Sequence, residues 1–266
     1  MTTQVTKLFN KIWQQYIEVT PSAANIHQLL GNGGDIINDH IAYRTFNHEK
    51  VNLAKLANHL LALGYTECGS YDFSAKKLTA KHFEHNDTSL PKVFISEIRV
   101  EELSATAQKI IHNLIDQLPE NISHSTDFLY SGRPWQINSN DYQTLLAESE
   151  YAAWLAAWGY RANHFTVSIN HLNHYHCISE VNETLKQAGY QLNTTGGEIK
   201  GDKTVMLEQS STLADHAMVD FTDKVIDIPS CFYEFAKRYT SEDGKLYTGF
   251  VAASADKIFE STNAIA

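Results

Sequence analysis

The stretch DHIAYRTF, residues 39–46, sets an aspartate, a histidine and an arginine into what otherwise reads as a buried strand. Strand side chains alternate faces with a period of two, so His40, Ala42 and Arg44 share one face while Ile41, Tyr43 and Thr45 share the other. One face is apolar; the other carries a metal-ligand type and a permanent cation. NHFTVSIN, residues 163–170, repeats the pattern, with His164, Thr166 and Ser168 on one side and Phe165, Val167 and Ile169 opposite. Two polar-faced strands, each led by a histidine, call for a common explanation.

Working outward from each stretch, the same order of features recurs. DHIAYRTF is followed by a helical pattern at 53–67, LAKLANHLLALGYTE, and NHFTVSIN by a second at 178–191, ISEVNETLKQAGYQ, both running into Gly-Tyr. Further strands are expected at 76–85 and 204–211. The halves close on LPKVFISEIRV (90–100) and IPSCFYEFAKRY (228–239), each an aliphatic-Pro pair before a strand that holds a glutamate, Glu97 or Glu234. Faint repetition of this kind marks a duplicated unit. The expectation is an α+β chain, a single domain over 1–266, in which βαβββ modules at 36–100 and 161–240 form one barrel. A helical insertion at 101–160 separates them, and a tail at 241–266 ends in a helix.

Composition narrows the function. With 266 residues and 43% hydrophobic content the chain can bury a substantial core. A net charge of −10 with no Lys/Arg cluster argues against nucleic acid, whose phosphates demand a concentrated basic surface. Cys68, Cys177 and Cys231 are odd in number and form no CxxC pair, so neither a disulfide framework nor a zinc knuckle is indicated, and reduced thiols in a cytoplasm are expected. The first residues, MTTQVTKLFNKIWQQYIEV, have the spacing of an amphipathic helix and lack the continuous apolar core of a signal peptide. The longest apolar run, YAAWLAAW at 151–158, is far short of the roughly 20 residues that cross a bilayer, so no membrane span is expected. Nothing in the sequence specifies an oligomeric state.

His40, His164 and Glu234 are the candidate metal ligands, because each interrupts a core-like strand where a solvated side chain does not belong. Two histidines and one carboxylate on one side of a divalent ion leave three adjacent positions open, the arrangement of non-haem Fe(II) oxygenases. The shell keeps a net charge of +1, which favours chelation by an anionic 2-oxo acid and leaves a place for O2. Taken singly, a strand histidine is an ordinary hydrogen-bonded core residue and a strand glutamate an ordinary partner for Lys237 or Arg238. Their matched placement in a duplicated unit is what joins them. Arg44 follows His40 on the same face and suits the far carboxylate of a chelated diacid, with a salt bridge to Glu97 or Asp39 as the alternative. Ser168, with Thr166, shares the His164 face and suits a substrate oxygen. Among other histidines, HLNHYH (171–176) reads as a solvated turn, and His82 and His85 face opposite sides of their strand. By the repeat, Glu97 occupies the place from which a fourth ligand would come.

DHIAYRTF, NHFTVSI, FYEFAKRY and the closing GFVAASADKIFEST together resemble the 2-oxoadipate dioxygenase/decarboxylase family, within the vicinal oxygen chelate superfamily. The resemblance covers residues 10–262. It implies Fe(II), 2-oxoadipate and O2 as cofactor and substrates, 2-hydroxyglutarate and CO2 as products, and a place in lysine catabolism. It carries the ligand role onto His40, His164 and Glu234 and the distal-carboxylate role onto Arg44. The implied mechanism resembles that of hydroxymandelate synthase, with one 2-oxo acid supplying both the electrons and the carbon that is oxidised. Two other readings remain open on the residues: a glyoxalase-like lyase or isomerase in which Glu97 completes a four-ligand site, and a metal-free binding protein on the same scaffold.

Overall fold

The computed structural model describes residues 4–242 and 244–262. Two helices lead in, α1 (Gln4–Val19) and α2 (Pro21–Gly31). Val5, Phe9, Ile12 and Tyr16 place a buried stripe on α1, and Pro21 starts α2 at a first-turn position whose amide needs no partner. The first module is β1 (Asn38–Phe46), α3 (Leu53–Leu61), β2 (Tyr65–Phe73), β3 (Leu78–His85) and β4 (Lys92–Ile98). Asn52 caps α3 through its side chain, and Gly64, at φ +92°, turns the chain into β2. The helix therefore stops short of the expected residue 67, and TECGSYDF continues β2, a mostly exposed strand with no apolar run to announce it.

Residues 101–160 hold α4 (Ala105–Ile115), α5 (Ser139–Glu148) and α6 (Glu150–Trp158), capped by Ser104, Asn138 and Ser149. Helix α6 is buried on nearly every side, and the indole N–H groups of Trp154 and Trp158 donate to the carbonyls of Ser230 and Pro229. The second module is β5 (Ala162–Ser168), α7 (Ile178–Gln187), β6 (Lys200–Asp202) and β7 (Leu207–Ser211); a separate hairpin of β8 (His216–Asp220) and β9 (Val225–Pro229) precedes β10 (Phe232–Arg238). The chain then runs into α8 (Ala252–Ile258).

Eight strands form one curled sheet in the order β2-β3-β4-β1-β5-β10-β7-β6. The sheet is a pseudo-twofold: β1 and β5 pair antiparallel at its centre, each is flanked by a parallel partner, β4 or β10, and the outer strands run antiparallel. The expected α+β fold of duplicated βαβββ modules is the fold found, curled into a half-barrel, with the β8–β9 hairpin as an addition the sequence did not suggest. No helix among the described residues is long and apolar enough to cross a membrane.

Candidate metal centre

Because β1 and β5 are the central pair, His40 and His164 meet at the seam between the modules. His40 lies opposite Thr166, and Ala42 lies opposite His164. Glu234 arrives from β10, also opposite Thr166. All three side chains are buried, and one ligand atom of each lies within 4.8 Å of the others. Glu234 Oε2 lies 3.0 Å from His164 Nε2 and 3.7 Å from His40 Nε2. It makes no hydrogen bond of acceptable geometry to any described residue. Glu234 Oε1, by contrast, accepts from the Gln209 amide at 2.6 Å. A carboxylate oxygen buried and aimed between two imidazole nitrogens is costly as it stands, and a divalent cation at that point would satisfy it. The donor set fits such an ion.

The other ring nitrogens are held from behind. Asp39 Oδ1 accepts from His40 Nδ1 at 2.8 Å, and Asn163 Oδ1 accepts from His164 Nδ1 at 3.2 Å. Each acceptor is the chain neighbour of its histidine, which regular alternation would send to the opposite face. The pairing register explains the exception: it slips between Asn38 and His40 on one strand and between Ala162 and His164 on the other, leaving Asp39 and Asn163 as extra residues at bulges. Asp39 is pinned in turn by Arg238, whose Nε and Nη2 donate at 2.7 and 2.9 Å. Such outer partners fix tautomer and ring orientation, freeing Nε2 for the ion.

The electrostatics follow from burial and proximity. Burial opposes ionisation of Glu234, but the two imidazoles overcome it and hold the carboxyl well below its usual range. Burial likewise opposes charge on Asp39, and Arg238 and His40 overcome it. His40 is depressed by burial yet ends above its ordinary value because Glu234 and Asp39 both face it, whereas burial prevails at His164 and lowers it.

The sheet register corrects one expectation. In the first module the position matching Glu234 is Phe94, opposite Ala42 as Glu234 is opposite Thr166. Glu97 is opposite Thr45, on the other face, where its carboxylate accepts from the Leu53 amide at 2.8 Å and from the Thr79 hydroxyl at 3.3 Å. It serves the first turn of α3 and is neither a fourth ligand nor a partner of Arg44.

Arg44 is buried two residues beyond Ala42. Its Nη1 donates to Glu150 at 3.0 and 3.3 Å and its Nη2 to Thr262 at 2.9 Å, while its Nε has no partner among the described residues. Tyr151 and Trp154 hold the guanidinium at 4.9 Å from each ring centroid, with Phe259 at 5.8 Å. Ser168 is not brought to the ligand cluster; its hydroxyl lies 2.8 Å from His171 Nδ1. Thr166, on the same face, does reach the centre, with its hydroxyl 3.1 Å from His40 Nε2.

The cavity at the ligands is floored by His40, His164, Glu234 and Gln209, walled by Phe94 and roofed by Phe250, Ile258 and Phe259. Its volume is about 20 Å3, room for roughly one water. A larger surface depression of about 580 Å3, between α1 and α3, contains none of the three ligands. Sequence reasoning missed Gln209 and Lys200, whose side chains lie directly across from one another on β7 and β6. Lys200 is a buried cation with no carboxylate ion partner among the described residues; its ammonium donates to the Asn193 carbonyl, and burial pulls its pKa down to about 8. A lone lysine on a short strand carries no signal of burial.

Two βαβββ modules joined at a seam that gathers two histidines and a glutamate give a vicinal-oxygen-chelate type of fold with a donor set compatible with a metal ion. A protein from Ralstonia eutropha, provisionally described as of the glyoxalase superfamily, shares that fold, with a TM-score of 0.76 at 20% identity over 92% of this chain and 85% of its own. The family model for 2-oxoadipate dioxygenase/decarboxylase matches residues 2–125 and 119–245, and the chain belongs to that family. A rice 2-oxoadipate dioxygenase/decarboxylase, chloroplastic/amyloplastic, is 35% identical across 93% of this chain and 76% of its own length. The structure of a rice hydroxyglutarate synthase in complex with 2-oxoadipate superposes with a TM-score of 0.91 at 34% identity, covering 97% of this chain and 91% of the other. A protein from Shewanella frigidimarina, provisionally described as a hydrolase, is 61% identical with a TM-score of 0.92, over 95% of this chain and all of its own.

Proposed function

We propose that this chain is an Fe(II)-dependent oxygenase that converts 2-oxoadipate and O2 to 2-hydroxyglutarate and CO2, with His40, His164 and Glu234 as the metal ligands. The observation that carries the reading is the convergence of Glu234 Oε2 and two imidazole Nε2 atoms on one buried point, together with Phe94 at the position where a fourth ligand would stand. Three protein ligands leave room for a chelating 2-oxo acid and for O2. Family membership and the likeness to a rice enzyme with 2-oxoadipate bound supply the substrate. Against the isomerase reading stands Phe94, and against the metal-free reading stands the family membership together with three buried donors converging on one point.

Iron, when bound, supplies the activation of O2 and the electron transfer that splits CO2 from the 2-oxo acid, one oxygen atom entering the new carboxylate and the other the hydroxyl. The protein's own groups orient and exclude. Asp39 and Asn163 keep both imidazoles aimed; Gln209 holds Glu234 by Oε1, which would leave Oε2 to hold a metal. Phe94, Phe250 and Phe259 keep the open side of the centre dry. Arg44 grips the distal carboxylate: its Nε is free for a new acceptor, and Thr262, which now occupies Nη2, belongs to the same C-terminal segment as the roof residues Ile258 and Phe259. A six-carbon diacid is larger than this cavity of about 20 Å3, so binding it requires the roof residues Phe250, Ile258 and Phe259 to yield.

Oxygen uptake and CO2 release by Fe(II)-loaded protein, measured across a panel of 2-oxo acids, test the reading. Stoichiometric uptake with 2-oxoadipate is expected; turnover without oxygen or with zinc would replace it with the isomerase reading. Arg44→Ala should raise KM for a dicarboxylic 2-oxo acid about tenfold or more beyond its effect on a monocarboxylic one, since a buried charge-assisted pair is lost only with the former. Equal shifts would remove Arg44 from the substrate site.

A further inference from the structure

Phe250 stands edge-on to His40, with ring centroids 4.8 Å apart, and its own position is tied down elsewhere. Its backbone N–H donates to the Tyr71 hydroxyl at 3.1 Å, and that hydroxyl lies 2.9 Å from His82 Nδ1. His82 is almost fully buried, and its Nε2 lies 3.0 Å from Glu84 Oε1. The third member of the group is Cys68. One ligand atom from each of Cys68, His82 and Glu84 lies within 4.8 Å of the others.

The backbone builds this cluster as it builds the centre at the seam. The β2–β3 register slips between Glu67, opposite Phe83, and Gly69, opposite His82, which leaves Cys68 as the extra residue of a bulge beside the imidazole. Gly69 makes the approach possible, since a Cβ there would stand 2.8 Å from the His82 ring. His82 and Glu84 sit two apart on β3 and so share a face. Tyr71 at Nδ1 is the outer partner that orients a metal-binding imidazole and leaves Nε2 for the ion. Cys68 is exposed, so the site opens to solvent on one side.

We propose that Cys68, His82 and Glu84 form a second site, for a thiophilic divalent cation of the zinc type, separate from the oxygenase centre. Thiolate, imidazole and carboxylate together select zinc or cobalt over magnesium or calcium, and three protein ligands with a water complete a tetrahedral shell. On binding, the Cys68 thiol proton passes to solvent as the metal–sulfur bond forms, with no change of oxidation state. Glu84 turns Oε1 to His82 Nε2 at 3.0 Å and Oε2 to the Lys92 ammonium at 3.8 Å, so one carboxylate oxygen stands on the cluster while the other is steadied from outside it. Through Tyr71 an ion here would fix Phe250, and so the roof over His40.

Cobalt(II) titration of the metal-stripped full chain tests this, because the centre at the seam contains no sulfur and only the second site gives a near-ultraviolet thiolate-to-cobalt absorption. Two equivalents bound per chain are expected, one of them producing that absorption. Cys68→Ser should abolish the band and reduce binding to one equivalent, and Glu84→Gln should weaken the same equivalent. His164→Ala should lose the other equivalent and keep the band. Absence of the band in the unmodified chain, or its survival in Cys68→Ser, would overturn the proposal.

Discussion

The two modules share one backbone plan and line it with opposite chemistry. Matching positions on the concave face pair Phe94 with Glu234, His82 with Ser211, Ala80 with Gln209 and Tyr71 with Lys200. The first module thus contributes one candidate ligand and a largely aromatic wall, the second two candidate ligands and a polar one. Duplication alone would have produced a symmetric site of four ligands. A phenyl ring where the repeat would set a second carboxylate leaves three candidate donors beside an apolar wall; in the proposed oxygenase that difference would leave room for a chelating substrate and O2.

The difference can be broken outright. Glu234→Gln or His164→Ala should remove the metal equivalent held at the seam and bring oxygen uptake to background, since two remaining ligands do not hold a first-row ion against dilution; iron analysis beside the uptake assay checks it. Restoring symmetry is subtler. Phe94→Glu should retain metal while oxygen uptake falls on the order of 100-fold, because the fourth carboxylate takes a position the substrate needs. Full uptake in that variant would mean that Phe94 does not mark the open side.

The two outer partners differ in strength as well. Asp39 is charged and pinned by Arg238; Asn163 is neutral and its bond is longer. Asp39→Asn should weaken metal affinity about 10- to 100-fold, and Asn163→Ala by less, as measured by chelator competition. The smallest effect concerns stability. Lys200 has a folded pKa near 8 against 10.5 for the unfolded chain, so between these values the unfolded state binds more protons and stability rises with pH. The melting temperature of the unmodified protein should therefore gain on that of Lys200→Met as pH moves from 8 to 10, by thermal unfolding at each pH.

His40, Arg44, His164 and Glu234 were legible because each puts a polar group into a strand whose neighbours are apolar, a conflict that only a partner resolves. Glu97 was misread for a reason also in the sequence. It stands six residues after Pro91, whereas Glu234 stands five after Pro229, and a difference of one residue in strands of period two means opposite faces. Feature order shows that a unit is duplicated; it does not show register. The bulges at Asp39 and Asn163, the partner of Arg44 and the burial of Lys200 depend on pairing between strands and on packing by the tail, which composition and periodicity do not encode. The strand β2 escaped notice because Thr66–Ser70 faces water on an edge, where β-propensity is weakest as a signal.

The seam itself has a consequence for folding. Its three candidate ligands, His40, His164 and Glu234, are far apart in the chain, and the disordered polypeptide cannot gather them. An ion captured there acts as a cross-link between segments remote in the covalent chain, and its binding energy adds to the cohesion of the native state in proportion to the logarithm of its free concentration. Heat resistance of the Cys68→Ser variant, which keeps only the seam, should then rise as iron, zinc or cobalt is added, a measure of occupancy that requires neither substrate nor air.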